Sequence, residues 1–359
     1  MEKFTKYYSA TLLGTGNNNT ICLKEKSEYI LKSYYKLRVE GENAYKLFFV
    51  NKVDSTGNCR AEKNGDSFEI CEAYAAYSPD KEIEEGKVEI TFGGNKNKTV
   101  EVGETYSCDE FSFDYKKDGY MVLTFKIVTQ KRKIIPATNE SMSTGRIFEN
   151  GKEIWWDNFS LRPAFVGVKR DKKKTVGFWG DSITQGSRTG IDKYEAWVHR
   201  IGNYLEKDIS VWNLGMGWAR SYDASLGGIF TKKAAMCDEV FICFGVNDIR
   251  SGGRTAQEVI VDLNTAKSLL EKENSSIKVH FLTVPPFNMS EYEEEQRKMV
   301  NEYVRSTEGY FDIASCLEKN EDGDVIDEYM TNPGDAHPNG EGGRAILESF
   351  IKWREEAQW

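Results

Sequence analysis

The sequence predicts two domains of different class, an all-β sandwich over residues 1–165 and an α/β domain over residues 166–359. Three observations carry this. The chain has 359 residues, enough for two cores. Its first half reads as short alternating strands punctuated by Gly, Asn and Asp, with no sustained helical period. Its second half alternates nearly all-apolar strands with helical patterns, as in a parallel sheet buried on both faces.

In the first half the expected strands are Tyr29–Tyr35, Tyr45–Val50, Ser67–Cys71, Lys87–Phe92, Glu110–Tyr115 and Tyr120–Val128. Turn residues separate them: Asn17–Asn19, Asn64–Asp66, Gly93–Asn95, Lys117–Gly119 and Glu149–Gly151. A last segment, Trp155–Leu161, resembles the closing strand of jelly-roll modules fused to polysaccharide-active enzymes. Its two tryptophans fit a core strand as well as a sugar-facing one. Beyond Arg162-Pro163, strands are expected at Thr175–Trp179, Ile209–Leu214, Glu239–Phe244, Ile277–Val284 and Tyr310–Ile313. Helices are expected across Glu195–Leu205, Leu226–Met236, Ala256–Lys272 and Glu291–Ser306, with a final one from Glu341.

Charge and cysteine usage narrow the function. The net charge is −9, with 24 basic and 25 acidic residues in 1–165 and 24 and 32 in 166–359. An acidic chain without a basic stripe is a poor match for a phosphate backbone, so no nucleic-acid partner is expected. No apolar run approaches the length of a membrane span, and none near the N-terminus resembles a secretory leader. A cytoplasmic protein without a membrane partner is the expectation. The seven cysteines are scattered and contain no CxxC, which favours free thiols and offers no metal site. Oligomeric state leaves no mark in the sequence.

Ligands of such parallel sheets sit at the carboxyl ends of the strands. Three strand ends carry conspicuous polar residues: Gly180-Asp181-Ser182, Asn213-Leu214-Gly215-Met216-Gly217-Trp218, and Gly245-Val246-Asn247-Asp248. A fourth block, Asn332-Pro333-Gly334-Asp335-Ala336-His337-Pro338, lies in a loop before the last helix. The chain has three histidines. His199 falls in an amphipathic helix and His280 in an apolar strand, which leaves His337 as the base for Ser182, whose hydroxyl needs one to act as a nucleophile.

Together, in that order, the four blocks resemble the SGNH branch of the GDSL hydrolases, over roughly residues 174–357. The resemblance implies a flavodoxin-like three-layer α/β/α domain and an ester hydrolase that needs no cofactor. It implies Ser182 as nucleophile and His337 as general base. The oxyanion donors would be the N–H of Ser182, the N–H of Gly217 (with Gly215 as alternative) and the amide of Asn247. Two departures stand out. The family's loop glycine lies five residues after the asparagine, where this chain has Trp218. Its acid lies three residues before the histidine, where this chain has Gly334; Asp335 is two before.

The Asp-x-His spacing is similar to that of the family-2 carbohydrate esterases, which also place a jelly-roll before the hydrolase domain. That similarity implies a Ser–His dyad whose histidine is oriented by the main-chain carbonyl of residue 335, with the Asp335 carboxylate free for another role. It implies O-deacetylation of an oligo- or polysaccharide. Trp179, Trp218 and Arg220 are candidates to line the sugar site, because aromatic faces suit pyranose rings, although Trp179, on the strand itself, fits core packing at least as well. The alternatives are another SGNH ester hydrolase, of lysophospholipase or thioesterase type, and a carbohydrate-binding protein that has lost the reaction.

Overall fold

A computed structural model describes residues 6–54, 62–140, 142–205, 208–319 and 323–359. Cys59, one of the expected free thiols, lies outside them. The other six cysteines form no disulfide. The chain divides into two compact units between Lys172 and Lys173. The expected boundary after residue 165 comes one strand too early, because Phe165–Val168 pairs with both Tyr8–Ser9 and Gly41–Val50 of the first unit.

The first unit is built from antiparallel strands. Five of them form a sheet centred on Gly41–Val50, and seven form a second sheet centred on Ser27–Tyr35, Tyr120–Thr129 and Phe68–Ser78. The alternation in Ser27–Lys32, with every second residue buried, points one face of the second sheet inward. Across the gap, Phe49 of the first sheet meets Phe125 of the second edge-on, with ring centroids 5.5 Å apart. The two sheets therefore close on a shared aromatic core. The segment expected as one closing strand is two, Lys152–Asp157 and Phe159–Ser160, neither of which is last in the unit.

The second unit has four parallel strands in the spatial order Ile209–Gly215, Lys174–Gly180, Glu239–Cys243, Lys278–Phe281. The strand expected at Tyr310–Ile313 is reduced to a single parallel bridge from Phe311 to Leu282. Helices cover both faces, and successive residues of the first strand show it. Phe178 packs against Trp197 and Phe350 on one side. Trp179 packs against Phe230 on the other. The chain leaves the first strand for one neighbour and then crosses to the opposite neighbour, which opens a crevice at the strands' carboxyl ends.

The register fixes where that crevice lies. Gly180 stands level with Gly215 on one side and Cys243 on the other. A Cβ at Gly180 would sit 2.5 Å from the carbonyl oxygen of Cys243, and one at Gly215 would sit 2.1 Å from the Gln185 nitrogen. These two glycines let the short helix Ser182–Gln185 fold tightly over the strand ends. The last helix, Gly340–Glu356, is capped by Asn339 and docked by Phe350, whose ring lies 5.5 to 6.3 Å from those of Phe311, Phe241 and Phe178. Truncating this fully buried ring should therefore unseat the helix that follows the His337 loop. Phe350→Ala is expected to cost about 3–5 kcal/mol, read as a lowered urea midpoint with an unchanged slope.

Candidate active site

Ser182 opens the four-residue helix Ser182–Gln185. The preceding Asp181 caps that helix, its Oδ1 accepting the N–H of Ile183 at 2.9 Å. The indole of Trp197 donates to the Ile183 carbonyl at 2.9 Å and braces the same turn. As the first residue of a helix, Ser182 keeps an N–H with no intrahelical acceptor.

His337 arrives from the far end of the chain. Its loop is tied down by Thr331, whose N–H donates to the His337 carbonyl at 2.9 Å, and by Asn339, whose amide donates to the Glu328 and Met330 carbonyls. The result is a hydrogen-bonded chain of three side chains. Ser182 Oγ lies 2.9 Å from His337 Nε2, and His337 Nδ1 lies 2.7 Å from Asp335 Oδ1. The partner of Nδ1 is thus the Asp335 carboxylate itself, and the expected orientation by the residue-335 carbonyl is corrected. The short Asp-x-His spacing suffices because Asp335 turns back on its own loop. Its Oδ1 also accepts the N–H groups of Ala336 and His337.

Sequence reading missed the second partner of that carboxylate. Arg188, in a left-handed conformation at φ 68°, forms an ion pair with Asp335 Oδ2, which also accepts from Thr331. Nothing in the local sequence links positions 147 residues apart. Burial opposes the charge on Asp335, but the hydrogen bond from His337 and the charges of His337 and Arg188 outweigh it and hold the carboxyl below its usual range. Burial also holds the His337 imidazole below its ordinary 6.5; Asp335 pulls the other way and Arg188 adds to the lowering. A neutral imidazole with Nδ1–H donated to Asp335 leaves Nε2 free to accept a proton from Ser182.

The remaining expected residues fall on the loops that follow the neighbouring strands. Gly215 is excluded as an amide donor, since its N–H is already given to Asn213 Oδ1 at 2.9 Å. Gly217 is buried in the next turn. Trp218, at the position of the family's glycine, holds a left-handed φ of 68° although it is a bulky residue, and its side chain is 66% exposed. Asn247 is buried, with its amide nitrogen donating to the Ala219 carbonyl at 3.1 Å and to Asp181 Oδ2 at 3.3 Å. Of the two readings of Trp179 the structure takes the core one and corrects the sugar-lining one: the side chain is fully buried between Phe230 and Phe244. Arg220 is half-buried and begins a short helix, its N–H donated to Asp223.

Asp248, read only as part of a motif, joins two of these loops. Its carboxylate accepts the N–H and hydroxyl of Ser221 at 2.9 and 2.7 Å and pairs with Arg254 at 2.9 Å. His280 bonds to Glu239 and the Gly309 carbonyl, and His199 packs against Tyr194, so both belong to the scaffold. Among the described residues no cluster of His, Cys, Asp and Glu is placed to hold a metal ion, and no helix is long and apolar enough to cross a membrane.

Residues 178–345, which lie within the second unit, match the GDSL-like lipase/acylhydrolase family. Among curated proteins none matches the chain. Solved structures that it is similar to include a member of the lipolytic protein G-D-S-L family from Veillonella parvula. That one is 19% identical over 50% of this chain and 96% of the other, with a TM-score of 0.41. A family two carbohydrate esterase from Clostridium thermocellum, in complex with cellohexaose, is 12% identical over 98% of this chain and 99% of the other, with a TM-score of 0.41. A carbohydrate acetylesterase family member from Sinorhizobium meliloti is 16% identical over 52% of this chain and all of the other, with a TM-score of 0.40.

The site stores an electrostatic cost that can be measured. Burial, reinforced by the charge of Asp248, pushes Asp181 up to about 7 from 3.8. Between those values the folded protein holds a proton that the unfolded chain has released, so stability falls as pH rises from about 4 to 7. The melting temperature of the parent relative to that of Asp181→Asn should therefore decline across that window, and a difference independent of pH would contradict it.

Proposed function

We propose that this protein is a serine esterase that removes O-acetyl groups from a carbohydrate, with Ser182, His337 and Asp335 as its catalytic residues. The observation that carries the reading is the continuous hydrogen-bonded path from the Ser182 hydroxyl through the imidazole to a buried carboxylate. Ser182 Oγ attacks the acetyl carbonyl carbon while its proton passes to His337 Nε2. Negative charge gathers on the carbonyl oxygen. The donors to it are the N–H of Ser182, the amide of Asn247 and the N–H of Gly217, with that of Trp218 beside it at the family's glycine position. Such a donor typically contributes about 10²–10³ in turnover.

His337 then gives the proton to the departing sugar oxygen, and the C–O bond to the sugar breaks. Water adds to the acetyl-serine, with His337 again taking and returning the proton. Acetate leaves and the serine hydroxyl is restored. Asp335 fixes the tautomer and balances the imidazolium, and Arg188 holds Asp335 in place. For Asn247, the bond to Ala219 fixes the amide while the longer contact to Asp181 is the one an oxyanion would replace.

The choice of a sugar ester rests on the rim and on the domain order. Arg188, Asp192 and Arg220 stand on the loops after Ser182 and Gly217, a polar border ill-suited to a long acyl chain, while Asp223 is buried and accepts the Arg220 N–H. Trp218 offers an exposed aromatic face of the kind that suits a pyranose. The first unit, with its two facing antiparallel sheets, is read as the jelly-roll module that precedes the hydrolase in family-2 carbohydrate esterases.

Acetate release from acetylated mannan, xylan and glucan oligosaccharides tests the substrate class, alongside a series of p-nitrophenyl esters. Short esters should be preferred; a preference for eight carbons or more would contradict the sugar reading. Asp335→Asn should lower kcat by about 10⁴ by stabilising the wrong tautomer, whereas orientation by a carbonyl would leave the rate nearly intact. The acid limb of kcat/KM should lie below pH 6.5, since burial depresses His337. Arg188→Ala removes a positive charge that also depresses it, and so should move that limb to higher pH.

A further inference from the structure

The strand Lys152–Asp157 is the outer edge of the seven-stranded sheet and, among the described residues, has a partner on one side only. Its pairing with Gly145–Glu149 slips at one point, so that Trp155 faces Ile147 and Glu153 faces Phe148, which leaves Ile154 as an extra residue. Such a bulge re-aims side chains at a sheet edge. Here Ile154 and Trp155 come to line the same cleft as Ile147, about 460 Å³ in volume.

The two adjacent tryptophans differ in what they touch. Trp156 is stacked by the Arg146 guanidinium, 4.1 Å from its ring centroid, and Arg146 is itself bonded to Glu153 and Glu82. One face of that ring is taken by the guanidinium, although the residue as a whole is 51% exposed. Trp155 meets, among the rings of the described residues, only the edge of Phe159, at 5.8 Å and 68°, and remains 43% exposed. Leaving a large aromatic face in water forfeits its burial energy unless something covers it.

The rest of the lining states what the cover must be. Asp157 and Asn158 stand beside the ring, and Asn158's side-chain amide makes no hydrogen bond among the described residues. No lysine or arginine lines the cleft, so it has nothing to hold an anion. A lipid tail would leave the amide dry and unpaired and would take water from the Asp157 carboxylate, whose one bond among the described residues is from the Asn158 N–H. A neutral pyranose fits both: its axial C–H face meets the electron-rich ring, and its hydroxyls pair with an amide and a carboxylate.

We propose that this cleft of the first unit is a carbohydrate-binding subsite, with Trp155 as its stacking platform. It lies wholly within the sandwich and uses none of the catalytic residues. The proposal borrows from the esterase reading only the choice of glycans as probes.

Isothermal titration calorimetry of the full chain with unacetylated β-1,4-linked tetraoses of glucose, xylose and mannose tests it, since these carry no ester to cleave. At least one should bind with a dissociation constant of about 0.1–1 mM. Binding should weaken tenfold or more in Trp155→Ala, recover largely in Trp155→Phe, and persist in Ser182→Ala. Hydrolysis of p-nitrophenyl acetate and the melting temperature should be unchanged in Trp155→Ala. No binding of any tetraose, equal binding to Trp155→Ala, or binding of a proline-rich peptide in their place would overturn the subsite. Loss of p-nitrophenyl acetate hydrolysis in the parent, with Trp155-dependent binding retained, would instead sink the esterase reading alone.

Discussion

The level alignment of Gly180 with Gly215 and Cys243 is the constraint on which the site depends. Three parallel strands end together, so the residues that follow them emerge along one rim. A one-residue slip of the first strand would turn Phe178 and Trp179 to the wrong faces and carry Ser182 away from the rim. The slip is opposed on both faces at once, by Phe178 stacked on Phe241 and edge-on to Phe350, and by Trp179 between Phe230 and Phe244. The glycines then allow the short helix to lie directly on the strand ends, where any Cβ would meet backbone. Packing, turn chemistry and register thus agree on a single position for the serine.

That rim is held by buried charge, which is expensive. Asp181 and Asp248 are both removed from water, and each is placed where it organises backbone: one caps the Ser182 helix and faces Asn247, the other ties Ser221 to Arg254. Apolar residues would fill the same space at lower cost in desolvation. Their presence is explained by what they position rather than by stability. The far edge of the sheet shows a contrasting use of charge. There Glu239, driven down to about 2 against the burial that opposes it, binds His280, Lys174 and the indole of Trp359, and so fastens the end of the chain to the sheet.

How much of this was legible depended on the range of the interaction. Strands with apolar runs and helices with capping residues such as Thr255 and Ser290 lie close to their expected places, because their signals are local. The pairing of Ser182 with His337 spans 155 positions and could be anticipated only from the order of the four blocks. At Asp335 the resemblance carried by the Asp-x-His spacing implied orientation by a main-chain carbonyl, yet a carboxylate that also accepts its own loop's N–H groups reaches the imidazole. Trp179 suited a sugar site as an aromatic and the core as a strand residue, and alternation sends it into the core. Arg188 could not be found at all, since its contact depends on a left-handed loop. The edge-strand tryptophans were ambiguous for a related reason: a bulge decides which face each takes.

The central claim is that the Ser182 hydroxyl is made nucleophilic by the imidazole that the fold brings to it. Active-site labelling with a fluorophosphonate, followed by peptide mass spectrometry, tests this most directly. The account predicts one adduct per chain, on Ser182, formed at a rate that falls by orders of magnitude in His337→Ala. No adduct, an adduct on another residue, or labelling at the same rate without His337 would contradict it.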